Sequence, residues 1–270
     1  MDPLGDAPIL EFDPSRDAVI EPTAVEYVAA GRGPGQASMP PRVVLCYFQD
    51  VIETIVDEHG AHKVATLRSE IGPNAVYLLE RAVPIALVHP GVGAPLAAGF
   101  LEELIALGGR VFIAVGGAGA LVPDLTLGHA IVPTSAIRDE GTSYHYLPAS
   151  REARPSPVVV DAIVAELTAQ GVPYVAGKTW TTDALYRETR AKVARRVSEG
   201  CISVDMEAAA CFAVAEFRGV AFGQLLYAGD DLSGEAWDDR GWIRHASGRE
   251  ALFRIAADAI ARVPVAAEHR

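Results

Sequence analysis

The sequence predicts a single α/β domain in which a mainly parallel sheet is covered by helices. Short apolar runs typical of buried strands alternate with segments of helical periodicity along most of the 270 residues, and this alternation is typical of βαβ units. Half of the residues are hydrophobic and 21% are charged, as in soluble globular proteins. No internal repeat or second composition regime divides the chain, so we expect one domain.

The elements are predicted in chain order from these patterns. Residues 1–41 form an N-terminal extension or linker, because residues 30–41 are rich in glycine and proline, and residues 42–270 form the folded domain. Buried strands are predicted at 43–47, 85–89, 111–115, 130–133, 174–178 and 222–228. Helices are predicted at 95–107, 157–170, 206–217 and 250–262.

Composition excludes several classes of function. A formal net charge of −12 argues against a nucleic-acid polymer as partner, because phosphate backbones bind to basic surfaces. The chain has no apolar run of membrane-spanning length and no basic, apolar signal sequence at its start, so we expect a cytoplasmic protein without a membrane partner. The three cysteines and the histidines lack the paired spacing of a metal site, and we expect reduced thiols and no metal.

Two acidic residues, Glu207 and Asp230, are the strongest indication of a functional site in the sequence. Met206 and Glu207 stand at the predicted start of a helix, and Asp230 follows a predicted buried strand. The two carboxylate oxygens of a glutamate can accept hydrogen bonds from neighbouring hydroxyls of a diol, and the methionine offers an apolar floor. Open α/β sheets bind ligands at the carboxyl ends of strands, where Asp230 is expected. For Asp205 we favour a structural role at the helix N-terminus.

Two glycine runs follow predicted strands. The first, residues 91–95 (Gly-Val-Gly-Ala-Pro), opens a helix and could bring backbone amides close to a ligand; a tight strand-to-helix turn explains it equally well. It lacks the third glycine of a dinucleotide-binding fingerprint. The second run, residues 115–121, contains four small residues directly after a strand. It predicts a wall of backbone against which a flat group could lie.

The order of these segments resembles the nucleoside phosphorylase family, and within it the uridine-phosphorylase-like branch. The resemblance extends from Val43 to the end of the chain and rests on residues 91–95, 101–108, 115–120, 138–146, 181–186, 204–207 and 229–230. It implies one α/β domain with a mixed, barrel-like sheet flanked by helices, and homo-oligomers from dimers to hexamers with active sites near subunit interfaces. It also implies cleavage of the bond between ribose and a nucleobase, by phosphate or, in the nucleosidase branch, by water.

The resemblance assigns roles to particular positions. It implies no cofactor, a small-molecule nucleoside as substrate and phosphate as a possible co-substrate. Met206 and Glu207 would bind the ribose, and Asp230 would protonate a leaving purine, with its pKa raised by desolvation. The remaining assignments are the base-binding residues Ala118, Gly119, Leu185 and Tyr186 and the phosphate-position residues Gly91, Gly117 and Arg68.

Several positions depart from the pattern of this family. Ala114 and Gly117 stand where phosphate-using members have an arginine and a threonine, and Tyr47 and Val51 replace a glycine and an arginine of the early phosphate loop. Desolvating a phosphate dianion without a guanidinium partner is costly. Arg68 could supply a cation, either within one chain or from across a subunit interface.

The residues that read uracil in this branch are also altered. Thr189 and a shifted Arg190 stand in place of a glutamine and an arginine, and Leu185 replaces a stacking phenylalanine. A purine-like base is therefore slightly favoured over uridine. Trp180 could supply an aromatic face, although packing is the commoner role for such a residue.

Three functions remain open from the sequence. The first is a nucleoside phosphorylase, which is the family default. The second is a nucleoside hydrolase, favoured by the loss of phosphate ligands, and the third is a non-catalytic nucleoside-binding protein. Retention of both Glu207 and Asp230 argues against the third.

Overall fold

A closed ring of five strands forms the centre of the protein. The computed structural model describes residues 7–23, 39–242 and 246–265. The strands are β1 (Arg42–Cys46), β2 (His62–Ser69), β3 (Gly72–Leu79), β4 (Ile85–Val88), β5 (Val111–Ala120), β6 (Ala130–Asp139), β7 (Glu152–Ala153), β8 (Tyr174–Thr182), β9 (Cys201–Asp205) and β10 (Ala221–Asp231). The helices are α1 (Gln49–His59), α2 (Ala94–Ala106), α3 (Pro157–Ala169), α4 (Arg190–Ser198), α5 (Ala208–Arg218) and α6 (Ala246–Arg262).

The sheet is mixed in direction. The order β10–β6–β8–β9–β5 is closed into a barrel by a further pairing of β10 with β5, and β1, β4, β3 and β2 extend the sheet outward from β5. Five of the ten strand pairings are parallel and five are antiparallel. The α/β domain with a barrel-like mixed sheet is thus confirmed, whereas the mainly parallel sheet expected from the alternation of elements alone was wrong.

Helices cover both sides of this sheet. On one side α1, α3 and α6 bury apolar side chains against β1, β5 and β10 in one cluster. On the other side α2 and α5 pack against each other and against β1, β3, β4 and β5 in a second cluster. Residues 208–215 of α5 are all buried, so only the last turn of this helix reaches the surface. None of the helices in the described part of the chain is both long enough and apolar enough to cross a membrane.

The structure extends or shifts several predicted elements. The run from Gly116 to Ala120 continues β5 instead of following it, and α5 begins at Ala208, so that Met206 and Glu207 lie in the turn before the helix. The hairpin of β2 and β3, the short strands β7 and β9, and the helices α1 and α4 were not predicted. The hairpin strands are only partly buried, and β2 carries Lys63 and Arg68, so they lack the continuous apolar run that identified the others.

The described part of the N-terminal extension packs on its own chain. Its one regular element is a 3-10 turn, Pro8–Leu10, which contacts a second 3-10 turn at Thr142–His145. The terminal carbon Cδ1 of Ile9 lies 3.5 Å from where a Cβ atom at Gly141 would stand. Most of the predicted glycine- and proline-rich linker lies outside the described residues. The regular fold then begins with β1 at Arg42.

We predict that Asp139→Asn destabilises the fold. Oδ2 of Asp139 accepts hydrogen bonds from Trp180 Nε1 (2.9 Å), Lys192 Nζ (3.1 Å) and Arg196 Nη2 (3.0 Å), which join β6, β8 and α4. Hydrogen bonds to charged groups contribute about 1.5–3 kcal/mol each, so we expect a loss of about that size in the free energy of unfolding, measured by urea denaturation. The exposed Asp161→Asn on α3 is the control and should change it by less than about 0.5 kcal/mol. Equal losses in both variants would contradict this prediction.

Candidate active site

A buried carboxylate shapes the turn between β9 and α5. Oδ1 of Asp205 accepts hydrogen bonds from the backbone N–H groups of Glu207 and Ala208, each at 2.9 Å, and from Thr181 Oγ1 at 3.0 Å. Its Oδ2 accepts from Thr179 Oγ1 at 2.7 Å. Burial raises the pKa of Asp205, although these hydrogen bonds act to lower it. The structural role expected for Asp205 at the helix N-terminus is confirmed.

Glu207 connects two segments that are 114 residues apart in the sequence. Its Oε1 accepts a hydrogen bond of 2.7 Å from the backbone N–H of Gly93, the residue that precedes α2. The side chain is buried, and Met206 beside it is half-buried. Burial raises the pKa of Glu207 to about 8; the charge of Asp205 adds to this shift and the hydrogen bond from Gly93 opposes it. The first glycine run and the Met-Glu pair therefore form one site.

The backbone of the first glycine run explains why glycine stands at two of its positions. Gly91 has φ 77° and Gly93 has φ 92°, a region that residues with a side chain rarely adopt. A Cβ atom at Gly91 would also lie 2.3 Å from Leu96 Cδ2. The backbone N–H of Gly91 donates to His89 Nδ1 at 3.0 Å, and burial lowers the pKa of His89. The run is thus a tight strand-to-helix turn that also presents one N–H to Glu207.

Gly119 lies close to one predicted acidic residue, Asp230, and to the strand that leads to the other, Glu207. A Cβ atom there would stand 2.6 Å from Leu232 Cδ1, 2.9 Å from Val204 Cγ1 and 3.4 Å from Asp230 Oδ1. Asp230 is half-buried at the end of β10, and its Oδ2 accepts a hydrogen bond of 2.7 Å from Trp237 Nε1. The absence of a side chain at Gly119 therefore lets the ends of β9 and β10 approach β5 closely.

The neighbouring Asp231 has a different environment. It accepts a hydrogen bond of 2.8 Å from the backbone N–H of Ser233 and forms an ion pair with Arg240. Burial acts to raise the pKa of Asp231, but the hydrogen bonds from Ser233 and the charge of Arg240 outweigh it and lower the pKa. Asp231 thus stabilises the loop after β10.

The sequence did not single out Glu188, which the structure brings to Asp230. Burial raises the pKa of Glu188 to about 7, and the charge of Asp230 contributes to the shift. Arg190 links the segment of Glu188 to the loop after β10, because its Nη1 and Nη2 donate to the carbonyl oxygens of Leu232 (2.8 Å) and Glu235 (3.0 Å). The loop has no regular period, so no sequence signal connected Glu188 with Asp230.

The other predicted base-binding residues differ in exposure. Ala118 is buried in β5 with 6% of its surface exposed, whereas Leu185 and Tyr186, in a 3-10 turn after β8, are 48% and 92% exposed. Trp180 is fully buried, and its Nε1 donates to Asp139. Packing is therefore the role of Trp180, whereas base binding by the exposed Leu185 and Tyr186 stays a prediction.

Comparison with known proteins identifies the family of the chain. The family model described as the phosphorylase superfamily matches residues 41–261. The chain belongs to this superfamily. A uridine phosphorylase of Thermococcus kodakarensis is 37% identical over 106 residues, which cover 39% of this chain and 38% of that protein. A guanosine phosphorylase of Halorubrum lacusprofundi is 29% identical over 161 residues, which cover 57% of this chain and 67% of that protein.

A solved structure extends the likeness to most of the domain. The crystal structure of AMP nucleosidase from Bacteroides thetaiotaomicron superposes with a TM-score of 0.66 and 26% identity over 82% of this chain and 88% of that chain. The resemblance to the nucleoside phosphorylase family is thus confirmed. In sequence, by contrast, the chain spans only about two fifths of the T. kodakarensis protein. Phosphorylases and nucleosidases both occur among these similar proteins.

Aromatic rings border the position where the phosphorylase pattern places phosphate. A Cβ atom at Gly116 would lie 3.1 Å from Tyr47 Cδ2. One at Gly117 would lie 3.5 Å from Tyr227 Cε1 and 3.6 Å from Trp242 Cζ3. Side chains from outside β5 therefore take up the space beside both glycines.

Two arginines are candidate partners for an anion at this position, but Arg68 lies far from it within one chain, and Arg249 is paired with another residue. Arg68 is exposed on β2, the strand at the far end of the sheet from the barrel, so a single chain does not bring it to Gly117; its supply by another subunit stays a prediction. Arg249 is buried over the rings of Phe48 and Trp242 and forms an ion pair with Asp50 at 3.1 Å. Val51, at the predicted arginine position, is buried in the core.

We predict that Glu207 makes stability fall as pH rises toward 8. The folded protein holds a proton on Glu207 up to a pKa of about 8, whereas the unfolded chain releases it near 4.5. The stabilisation is therefore complete below the lower value and is lost progressively up to the upper one, by at most about 1.4 kcal/mol per pH unit. Urea unfolding between pH 5 and 8 should show a steeper decline for the wild type than for Glu207→Gln. Parallel curves would contradict the assignment.

Proposed function

We propose that this protein cleaves the N-glycosidic bond of a nucleoside with a purine-like base. The observation that carries the proposal is the arrangement around Gly119, where Asp230 at the end of β10 and Val204, which precedes the turn that holds Glu207, both lie against β5. A flat base bound beside this part of β5 would have a carboxyl group at its edge. Its ribose would extend toward Met206 and Glu207.

Each acidic residue fits one part of the chemistry. Cleavage builds positive charge on the sugar and negative charge on the departing base. Glu207 would bind the diol of the ribose through hydrogen bonds to its carboxyl group, with one oxygen already fixed by Gly93. Asp230 would donate a proton to the leaving base as a general acid. Glu188 lies beside it with a pKa of about 7, which supports proton exchange near neutral pH.

The environment of the acceptor position supports water as the attacking group. Tyr47 lies against Gly116, while Tyr227 and Trp242 lie against Gly117, and Arg249 is already paired with Asp50. A phosphate dianion would meet aromatic rings there without a free guanidinium group, which is an unfavourable environment for it. The name of the AMP nucleosidase that matches in structure also fits a hydrolytic reaction.

Phosphorolysis is the second candidate. The matched relatives named uridine phosphorylase and guanosine phosphorylase favour it, and phosphate would then be a co-substrate. A purine-like base is favoured over uridine in either case by Asp230 and by Leu185 in place of a stacking phenylalanine. We also propose that the protein forms a homo-oligomer, which would cover the exposed Tyr186 and Ile71 and would bring Arg68 of one subunit toward another.

We predict base release without phosphate from a panel of inosine, guanosine, adenosine and uridine. Products are separated by chromatography after incubation in phosphate-free buffer and in buffer with added phosphate. Free ribose and a purine base in both buffers would support hydrolysis. Ribose 1-phosphate formed only with phosphate would establish the second candidate, and binding without any base release would leave a nucleoside-binding protein.

We predict that Asp230→Asn lowers turnover of the preferred purine nucleoside by about 10²–10⁴-fold, the usual contribution of a positioned general acid. The dissociation constant of the nucleoside, measured by calorimetry, should change little because the proton transfer is made in the transition state. Asp231→Asn is the control. It should lower thermal stability, through the loss of its ion pair with Arg240, more than turnover. The opposite pattern in the two variants would show that the acid is Asp231.

A further inference from the structure

The ring of Tyr47 packs between β5 and His89, which follows β4, and both belong to the candidate site. Its backbone N–H donates to the carbonyl oxygen of Val115 at 2.9 Å, which holds the residue at the end of β1. Its ring lies against Gly116 and meets the ring of His89 edge to face, with centroids 6.0 Å apart and planes at 73°. The glycine at position 116 is what makes room for this ring, because a Cβ atom there would be 3.1 Å from Tyr47 Cδ2.

The buried hydroxyl group of Tyr47 has no strong hydrogen-bond partner among the described residues. The Cys211 thiol, which hydrogen-bonds only weakly, lies next to it, and the Glu207 carboxyl group lies near it. Burial raises the pKa of Tyr47, and the nearby charges of Glu207 and Asp205 add to the shift. The group is therefore a neutral hydroxyl that can both donate and accept. Buried hydroxyls normally have a partner, so this one is suited to a molecule bound beside Glu207.

The surroundings of Tyr47 select the kind of molecule that fits. A phosphate dianion beside this hydroxyl would lose its hydration next to an aromatic ring, and burying such a charge without a paired cation is costly. Arg249 is already paired with Asp50. A water molecule is small and neutral, and it can use both hydrogen-bonding capacities of the hydroxyl.

We propose that Tyr47 determines the acceptor of the glycosidic cleavage: its ring excludes phosphate, and its hydroxyl holds the attacking water. This inference rests on the proposed function. In the reaction the water oxygen forms a bond to the anomeric carbon while the bond from that carbon to the base nitrogen breaks. The electron pair of the broken bond stays on the base, which takes a proton from Asp230. The extra proton of the attacking water passes to solvent, from which Asp230 regains its own.

Tyr47→Phe tests the hydroxyl group alone. Loss of a group that positions a reactant can lower the rate by about 10²-fold, so kcat should fall by about that factor. The nucleoside dissociation constant, measured by calorimetry, should stay within about twofold because Glu207 still binds the ribose. The control Tyr174→Phe removes the same atom from β8, outside the site, and should leave kcat unchanged. An unchanged kcat in Tyr47→Phe would overturn the proposal.

Tyr47→Ala tests the ring through the choice of acceptor. In a solution with methanol, an enlarged acceptor pocket should admit the alcohol, so the ratio of methyl riboside to ribose should rise at least several-fold above that of the wild type. An unchanged ratio in a folded variant would overturn the exclusion role. If the wild type releases no base from any nucleoside, the proposed function itself fails; if the wild type is active and both Tyr47 variants match it, only the inference about Tyr47 fails.

Discussion

The fold around the candidate site depends on the buried carboxyl group of Asp205. It binds hydroxyl groups on β8 and two backbone N–H groups at the start of α5, so one side chain joins the barrel to a largely buried helix. These N–H groups belong to the orphan donors that every helix N-terminus leaves. Because the same bonds fix the backbone of Glu207, the direction of that side chain toward Gly93 follows from the capping of α5. The hydrogen bonds of Asp205 that stabilise the fold therefore also position the candidate site.

The sequence predicted the parts of the fold whose signal is local. Strands such as β1 and β4 have continuous apolar runs because helices cover both of their faces, and those runs identify them directly. The second glycine run misled the prediction, since glycine is depleted in strands; pairing with β9 and β10 keeps these residues extended. The hairpin of β2 and β3 was missed because its exposed residues interrupt the alternation.

The candidate site was predictable only where residue type and order carry the information. Met206, Glu207 and Asp230 stood out by chemistry, and the structure brings their segments to the same strand of small residues. Glu188 and Tyr47 join the candidate site only through tertiary contacts. Arg190 fixes the segment of Glu188 against the loop after β10, and Gly116 leaves space for the ring of Tyr47. Neither contact is local in sequence, so no pattern in the chain could reveal it.

With the barrel closed, β2 is the edge strand of the long sheet among the described residues. An unpaired edge strand offers backbone groups to any other extended chain and invites edge-to-edge aggregation. Exposed His62, Lys63 and Arg68 lie along this strand, and its pairing with β3 is irregular between Lys63 and Ala65. Charged side chains and bulges are the usual protection of such edges. Arg68 therefore helps to protect this edge strand from pairing with another chain, a use that does not depend on any ligand.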